Sequence, residues 1–276
     1  MSGLALSMCA DVAEVTFGGT VLLRYLFRPD LAPDHSPRPY AHPVRTLAGD
    51  EITAVEPDDH PWHAGISMAV PDVDGDNFWG GPTYVDGQGY VHRQDHGQVQ
   101  HQSWVEASVS VDACVLCEEL AWVAADGRTI LTEDRELRID GVDPSRGSWT
   151  LHWSYRLRNV SGRCVQFGSP ATNGRPGAGY GGLFWRGAKT FQGGAVVTEQ
   201  ARGEAAVNGT QARNLTVACG TGGLTIAAED QEPATWFVRS AEYPGAGPAL
   251  AFDAPLHLDP GHDLTGRYRF DIANRG

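Results

Sequence analysis

Hydrophobic and polar residues alternate along most of the chain with the two-residue period of β-strands. Residues 13–17 and 21–27 alternate on either side of Gly18, Gly19 and Thr20, which predicts an early hairpin. From residue 101 onward, alternating runs recur about every 10–15 residues with turn sequences between them, a spacing typical of a sandwich. The pattern predicts an all-β fold, a large antiparallel β-sandwich with few helices.

Segments that interrupt this alternation predict loops and one fully buried strand. Residues 64–70 are mostly apolar, which predicts a buried strand. Residues 28–46 and 71–100 are rich in turn-forming residues and predict mostly loop. Helical character is confined to residues 198–206, and residues 250–256 and 264–272 predict a final strand pair.

The composition favours many short strands within one domain. The 276 residues include 34 Gly and 17 Pro, which are scattered between hydrophobic runs as tight turns require. Because all-β domains of roughly 200–250 residues are common, we expect residues 1–276 to form a single β-sandwich domain. Residues 1–12 precede the first predicted strand, and we expect them to form a flexible tail.

The formal net charge of −13 disfavours partners that carry dense negative charge. An acidic surface repels phosphate backbones and anionic lipids, so we expect neither nucleic acid nor a membrane as a partner. The sequence also lacks an apolar run of about 20 residues and a signal-peptide pattern. Five widely spaced cysteines fit a reducing compartment, which predicts a cytoplasmic protein.

Histidine is concentrated in residues 35–101, together with aromatic and amide side chains. Seven of the ten histidines lie there: His35, His42, His60, His63, His92, His96 and His101. Trp62, Asn77, Phe78 and Trp79 are interleaved with them. Aromatic faces beside amides and imidazoles suit a carbohydrate, because a sugar ring stacks on an aromatic face while its hydroxyl groups take directed hydrogen bonds. We therefore predict that folding gathers these histidines at one carbohydrate-binding cavity.

The segment Asp58-Asp59-His60-Pro61-Trp62-His63 is the strongest candidate for catalysis. Pro61 fixes its own backbone and restricts His60 to an extended conformation, which holds both imidazoles in a loop or at a strand end. One imidazole would act as a base and the other as an acid. Asp59 would hold one imidazole in the tautomer that a base needs.

Metal binding is the alternative use of these histidines. His60, His63 and His101, or His42 or His96 in the third place, would give a divalent metal three nitrogen ligands and leave a position open for substrate. The chemistry predicted for the site is therefore either metal-free or assisted by one divalent metal of unknown identity.

Three arginines are candidates for holding negative charge on a ligand. Arg38 would act beside the catalytic histidines and steady charge that develops during the reaction. Arg175 and Arg186 would meet a ligand anion or oxyanion in the same way.

Several motifs, taken together and in order, resemble a bacterial family labelled methane oxygenase PmoA-like. They are Arg38-Pro39-Tyr40, His42-Pro43-Val44, Asp59-His60-Pro61-Trp62-His63 with Gly65, Asn77-Phe78-Trp79-Gly80, Gly179-Tyr180-Gly181-Gly182-Leu183-Phe184 with Arg186, and Trp236-Phe237. The resemblance runs from about residue 15 to the end and implies carbohydrate catabolism. The expected substrate-binding residues are His42, Trp62, Asn77, Phe78, Trp79, Tyr180 and Arg186.

The segment from Leu256 to His262 is similar to the end of galactose-mutarotase-like domains. That resemblance implies an antiparallel β-supersandwich that binds sugars in a cleft on one sheet, using histidine and a carboxylate. Glu242 is the one candidate for the carboxy-terminal catalytic glutamate of aldose epimerases.

These observations favour an enzyme that acts on a sugar, keto-sugar or glycoside by proton transfer next to a carbonyl or anomeric carbon. Lyase, hydrolase and epimerase reactions all fit the candidate groups. The alternative is a non-catalytic carbohydrate-binding or sensing protein, and a third reading makes the histidines a pH-sensitive assembly interface. A homo-oligomer is compatible with each of these hypotheses.

Overall fold

A computed structural model of the chain describes residues 3–220, 222–230 and 232–274. Its first eleven strands are β1 Leu4–Met8, β2 Val12–Phe17, β3 Thr20–Leu26, β4 Tyr40–Val44, β5 Ile66–Ala69, β6 Asp72–Val73, β7 Thr83–Val85, β8 Gly89–Val91, β9 Gln98–Val109, β10 Cys114–Val123 and β11 Thr129–Asp143. The next eleven are β12 Ser148–Asn159, β13 Val165–Gly168, β14 Gly182–Arg186, β15 Ala195–Val197, β16 Gln211–Ala212, β17 Asn214–Cys219, β18 Gly222–Ala228, β19 Ala234–Arg239, β20 Gly245–Pro248, β21 Leu256–Leu258 and β22 Asp263–Asn274.

Helices are few and short in the described part of the chain. One α-helix, α1, covers Glu204–Val207, and 3-10 turns cover Pro33–His35 and Lys189–Phe191. Of the helical character predicted for residues 198–206, only residues 204–206 lie in α1. Within the described ranges, each helix is too short to cross a lipid bilayer.

Two large sheets contain most of the strands. The first has nine strands in the order β1-β2-β3-β4-β5-β14-β20-β19-β16, and the second has eight in the order β15-β17-β18-β22-β12-β11-β10-β9. Smaller sheets are formed by β21-β13-β6 and by β7-β8. Neighbouring strands run antiparallel, as in the predicted hairpin of β2 and β3. The predicted all-β, antiparallel sandwich with few helices is confirmed.

The main core lies between the two large sheets, because alternate residues of each strand point inward. Along β12, Trp149, Leu151 and Trp153 are buried while the residues between them are partly exposed. Tyr25 of β3 meets Trp153 edge-on across the core, with 5.9 Å between the ring centroids. The period-two pattern of the sequence therefore produces the interior of the sandwich.

The middle of the nine-stranded sheet is buried on both faces. In β14, Leu183 and Trp185 enter the main core, whereas Phe184 belongs to a smaller apolar cluster on the outer face. β19 repeats this arrangement, with Trp236 in the main core and Phe237 outside. The outer cluster consists of Ala69, Trp79, Phe184, Phe237, Tyr243 and Phe252. Long loops cover this face, and they carry the candidate site.

The prediction of a flexible tail over residues 1–12 is wrong for β1. This strand pairs with β2, placing Leu4 opposite Phe17 and Leu6 opposite Val15. Leu4 is buried against the main core, and Leu6 packs on it, so burial of alternate leucines holds the segment in the sheet. Met1 and Ser2 lie outside the described residues.

The predicted final strand pair is also wrong. β21 pairs with β13, whereas β22 lies between β12 and β18. Phe270 and Ile272 of β22 are fully buried in the main core. Their burial in the main core accompanies the position of β22 in the eight-stranded sheet, whereas β21, the preceding strand, belongs to a separate small sheet.

Candidate functional site

A cavity of about 280 Å³ lies over the outer face of the nine-stranded sheet. Its walls come from the loops that connect β4 to β5, β6 to β7 and β13 to β14, from β8, and from β19 with the loop that follows it. It is lined by His60, Trp62, His63, Trp79, Gly80, Pro82, Tyr90, Arg175, Tyr180, Phe237, Arg239, Glu242 and Tyr243. The volume is close to the lower end of the roughly 300–1,000 Å³ found for small-molecule sites.

Aromatic rings form a continuous wall of this cavity. Trp79 packs on Tyr180 and Phe184, with ring centroids 4.5 Å and 4.7 Å apart. Tyr180 in turn meets Phe237 edge-on at 5.4 Å. Burial raises the pKa of Tyr180 well above its usual value, so its hydroxyl stays neutral. The wall can therefore stack on an apolar ligand face and still offer hydroxyl groups.

His60 is held in one orientation by Asp59. Its Nδ1 lies 3.0 Å from Asp59 Oδ2, and Arg186 Nη2 donates to both Asp59 oxygens at 2.8 Å. Partial burial would raise the pKa of Asp59, but the hydrogen bonds from Arg186 and His60 outweigh this effect and hold it below its usual value. Because Asp59 is an ionised acceptor, His60 Nδ1 carries the proton, and Nε2 is left as an acceptor for a ligand.

His63 lies behind His60 and has the opposite arrangement of donors. Arg186 Nη1 is 3.3 Å from His63 Nδ1, and a guanidinium can only donate, so Nδ1 accepts and Nε2 carries the proton. Burial, together with the charges of His60, Arg186 and Arg38, lowers the pKa of His63 well below its usual value. His63 is therefore a neutral imidazole that offers an N–H group.

The two imidazoles are stacked against each other and rest on one tyrosine. Their ring centroids are 4.6 Å apart and their planes differ by 14°. Tyr243 contacts His60 at 4.5 Å and His63 at 5.4 Å, and the Arg186 guanidinium lies 4.6 Å from its ring centre. One acceptor nitrogen and one donor nitrogen are therefore held side by side, as acid–base chemistry requires.

Trp62 is seated by two glycines and by a buried arginine. A Cβ on Gly81 would overlap the indole ring of Trp62, and one on Gly80 would lie 2.7 Å from Trp62 Cβ. Arg38 donates to the Trp62 carbonyl at 3.0 Å and to Ser67 Oγ at 3.2 Å. These contacts connect the loop that carries the histidines to β5.

The structure places the predicted site residues in three groups. His60, Trp62, His63, Trp79 and Tyr180 line the cavity. Asp59 and Arg186 lie behind its wall and hold the two imidazoles. Arg38, His42, Asn77, Phe78 and His101 have no lining position.

Arg38 and Asn77 were expected to contact substrate. This prediction is wrong, because both side chains are buried and form hydrogen bonds with backbone groups of the surrounding loops. Arg38 is 1% exposed and donates to the carbonyls of His35 and Ser36 as well as Trp62. Asn77 is 2% exposed, and its Oδ1 accepts hydrogen bonds from the backbone N–H groups of Trp79 and Gly80. Both side chains hold the loops of the cavity, and neither lines it.

Phe78 and His42 also have surroundings other than those predicted. Phe78 is fully buried and packs on Trp122 in the main core, with ring centroids 4.9 Å apart. His42 shares a hydrogen bond with Thr53 at 3.0 Å, away from the cavity lining. Neither is placed to bind substrate.

The predicted three-histidine metal site is not formed. His101 Nδ1 lies 2.7 Å from Glu118 in a separate buried cluster, whereas His60 and His63 line the cavity. Among the described residues, no group of three His, Cys, Asp or Glu side chains is arranged to hold a metal ion. The wider prediction that all seven histidines gather at one cavity is wrong as well, because only His60 and His63 of that set line it.

Several residues that line the cavity were not predicted as site residues from the sequence. Phe237 and Arg239 share the outer face of β19, and their spacing of two is the signal that places them together. Tyr243 follows in the next loop, and Tyr90 lies on the short strand β8. Arg175 was a candidate cation, and Glu242 was a candidate by resemblance only.

Comparison with known proteins gives one family and no named relative. A family model described as "Family of unknown function (DUF6807)" matches residues 12–276. No curated protein matches the chain in sequence. The PmoA-like resemblance of the motifs stays a prediction.

Solved structures that align with the chain include three described as galactose mutarotase or aldose epimerase proteins. The galactose 1-epimerase of Lactobacillus acidophilus NCFM aligns with a TM-score of 0.45 and 7% identity, covering 100% of this chain and 99% of that one. A galactose mutarotase-like protein of Lactobacillus casei ATCC 334 aligns with a TM-score of 0.39 and 9% identity, covering 98% of this chain and 100% of that one. The GalM/aldose epimerase homologue of C. elegans aligns with a TM-score of 0.35 and 8% identity, covering 100% of both chains.

Proposed function

The chain belongs to the DUF6807 family of unknown function, and we propose that it is an enzyme that moves a proton on a sugar or keto-sugar. The observation that carries this proposal is the pair of stacked imidazoles, His60 and His63, with opposite tautomers in an aromatic-walled cavity. The reaction class is proton transfer next to a carbonyl or anomeric carbon, the first step shared by lyases and epimerases of sugars.

A sugar fits the character of the lining. Trp62, Trp79 and Tyr180 offer aromatic faces, and imidazole, hydroxyl and guanidinium groups offer polar contacts beside them. The cavity of about 280 Å³ suits one sugar ring. A purely apolar ligand would leave the buried polar groups of this lining without partners, at a cost of roughly 1–3 kcal/mol each.

His60 is the base in this proposal. Its Nδ1–H is held by Asp59, so Nε2 is the nitrogen left to accept a proton from the substrate. The ionised Asp59 then stabilises the imidazolium that forms, and Arg186 keeps Asp59 in place at 2.8 Å. Asp59 and Arg186 thus act as positioning residues.

His63 is the donor for the oxygen on which negative charge develops. Because Arg186 donates to Nδ1, the proton of His63 is on Nε2, which can donate it in a hydrogen bond to a ligand. A neutral imidazole suits this role, since it donates a hydrogen bond to a carbonyl or ring oxygen while remaining uncharged beside His60. The base and the donor would therefore act on neighbouring atoms of one sugar.

Turnover by single histidine variants tests the proposal. Free aldoses, glycosides and keto-sugar derivatives are incubated with the wild-type protein, His60→Asn and His63→Asn, and products are followed by proton NMR. We expect each variant to lose about 100-fold or more in rate, since a positioned acid or base contributes roughly 10²–10⁴. His257→Asn is the matched control, because His257 is exposed on β21 and has no place in the cavity.

The outcomes separate an enzyme from a binding protein. Wild-type turnover in a folded His60→Asn variant would contradict the assigned base. Binding of a sugar with no turnover of any compound would instead favour the non-catalytic carbohydrate-binding or sensing protein.

A further inference from the structure

Two arginines line the cavity without acidic partners. Arg175 lies in the loop between β13 and β14, and Arg239 ends β19. Neither forms a salt bridge with a carboxylate in the described ranges, although the chain carries a net charge of −13 and exposed arginines such as Arg24 and Arg138 have acidic partners. The two cations are available to a ligand.

Both guanidinium groups contact neutral groups of the protein. Arg239 donates to the carbonyls of Val238 and Gly177 at 2.7 Å and 3.0 Å, and it lies 4.5 Å from the centre of the Phe237 ring. Arg175 donates to the Tyr90 hydroxyl and lies 5.0 Å from the Tyr90 ring centre. A guanidinium has five N–H donors, so each arginine keeps several for an anion.

The arginines belong to the same cavity as the histidines and are connected to them through its aromatic wall. The Tyr90 hydroxyl is 3.0 Å from the Tyr180 hydroxyl. Tyr180 packs on Trp79, and Trp79 meets His63 at 5.4 Å. The imidazoles and the guanidinium groups therefore line one cavity and share its aromatic wall.

The charges of the lining indicate an anion of one charge. The lining contains two arginines, Arg175 and Arg239, and one carboxylate, Glu242, which leaves a surplus of one positive charge when His60 and His63 are both neutral. Glu204 acts on Arg239 at longer range, but its carboxylate is occupied by the backbone N–H groups of Ser240 and Ala241. A carboxylate carries one negative charge, whereas a phosphate carries about 1.5 to 2.

We propose that the ligand is an acidic sugar whose single carboxylate is bound by Arg175 and Arg239. This inference rests on the proposed function, because it assumes that the cavity binds a sugar. It adds the substrate class: a uronic, aldonic or keto-sugar acid, whose carboxylate belongs to the same sugar unit that meets His60 and His63.

Calorimetric titration tests the preference for acidic sugars. The ligands are glucose, galactose, glucuronate, galacturonate, gluconate, galactonate and glucose 6-phosphate. We expect at least one sugar acid to bind about tenfold or more tightly than its neutral parent, as charge-assisted hydrogen bonds allow. Arg175→Gln and Arg239→Gln should each lose most of this preference, measured as the ratio of the affinities for the acid and for its neutral parent in the same variant. Arg138→Gln, an exposed arginine on β11, is the matched control.

Each outcome bears on a separate claim. Equal affinity for acids and neutral parents, or a preference that survives when Arg175→Gln and Arg239→Gln are combined in one protein, would overturn the inference while leaving the proposed function intact. Tightest binding of glucose 6-phosphate would overturn the choice of a carboxylate. Failure of every sugar to bind would count against the proposed function itself.

Discussion

At the scale of single residues, the partners of the Nδ1 atoms give His60 and His63 different roles. Asp59 accepts from His60, whereas Arg186 donates to His63. The same Arg186 guanidinium contacts both Asp59 and His63, so one cation fixes both tautomers. A base and a hydrogen-bond donor can thus arise from two identical side chains three positions apart.

The buried neutral state of His63 makes stability depend on pH. Burial first, and then the charges of His60, Arg186 and Arg38, lower the pKa of His63 well below its value of about 6.5 in an unfolded chain. As the pH falls below about 6.5, the unfolded chain binds a proton that the folded chain excludes. The free energy of unfolding should therefore decrease from pH 7 to pH 5, by up to about 1.4 kcal/mol per pH unit from this group.

Urea unfolding of the wild type and of His63→Asn between pH 5 and pH 7 measures this effect. The wild type should lose stability as the pH falls, and the variant should have a clearly smaller slope. His257→Asn should keep the wild-type slope, since His257 is exposed. An unchanged slope in His63→Asn would show that His63 takes up a proton in the folded protein.

The sequence identifies the centre of the site better than its surroundings. Asp59, His60, Trp62 and His63 are adjacent in the chain, so local sequence brings them together without knowledge of the fold. Residue type alone did not show that Phe78 faces the main core while its neighbour Trp79 faces the cavity. That difference depends on which face of the loop meets the sheet.

At the scale of elements, the site depends on the two-faced strands at the middle of the first sheet. β14 sends Trp185 into the main core and Arg186 toward the imidazoles. β19 likewise sends Val238 inward and carries Phe237 and Arg239 on the cavity side. The stable interior of the sandwich thus positions groups on the opposite face.

Gly81 provides a test of how the loop after β6 seats Trp62. Gly81→Ala would place a Cβ within the space of the indole ring and impose a side chain at φ +68°. Gly87→Ala imposes a similar backbone strain at φ +71° with no atom within 4 Å. We expect Gly87→Ala to lower the free energy of unfolding by about 1–2 kcal/mol and Gly81→Ala to lower it by about 1–3 kcal/mol more.

Urea unfolding and sugar titration of both variants check this prediction. Gly81→Ala should also weaken sugar binding, because Trp62 lines the cavity, and Gly87→Ala should leave binding nearly unchanged. Equal effects of the two substitutions on stability and binding would mean that Trp62 is not held by this loop.

Local elements were predictable and distant pairings were not. The hairpin of β2 and β3 follows from a turn of two glycines between alternating runs. β22 pairs with β12 and β18, more than thirty residues away in sequence, and no local pattern specifies those partners. The loops of the cavity depend on such pairings, which is why its outline required the structure.

At the scale of the whole molecule, a buried polar cluster connects the two large sheets. Tyr25 of the first sheet accepts from Arg135 of the second at 2.8 Å and contacts Glu118. Glu133 accepts two hydrogen bonds from Arg135, at 2.6 Å and 2.8 Å, and one from Trp122 at 2.8 Å. The cluster lies in the main core and takes no part in the cavity lining.

Removing one charge from this cluster should destabilise the fold strongly. Glu133→Gln leaves the buried Arg135 with less compensation, and breaking a buried pair costs about 3–5 kcal/mol. Asp134→Asn, one position along β11, removes only an exposed partner of Arg156 and should cost less than about 1 kcal/mol. Urea unfolding measures both, and equal losses would contradict a structural role for the buried pair.

The proposed reaction depends on His60 abstracting a proton from a bound sugar. The most direct measurement is deuterium incorporation, by proton NMR and mass spectrometry, into keto-sugars and keto-sugar acids incubated with the protein in D2O. We predict that the wild type places deuterium on the carbon next to the carbonyl, that His60→Asn slows this exchange about 100-fold or more, and that His257→Asn does not. The same exchange rate in His60→Asn, or a bound keto-sugar that keeps all its protons, would contradict the role of His60 as the base.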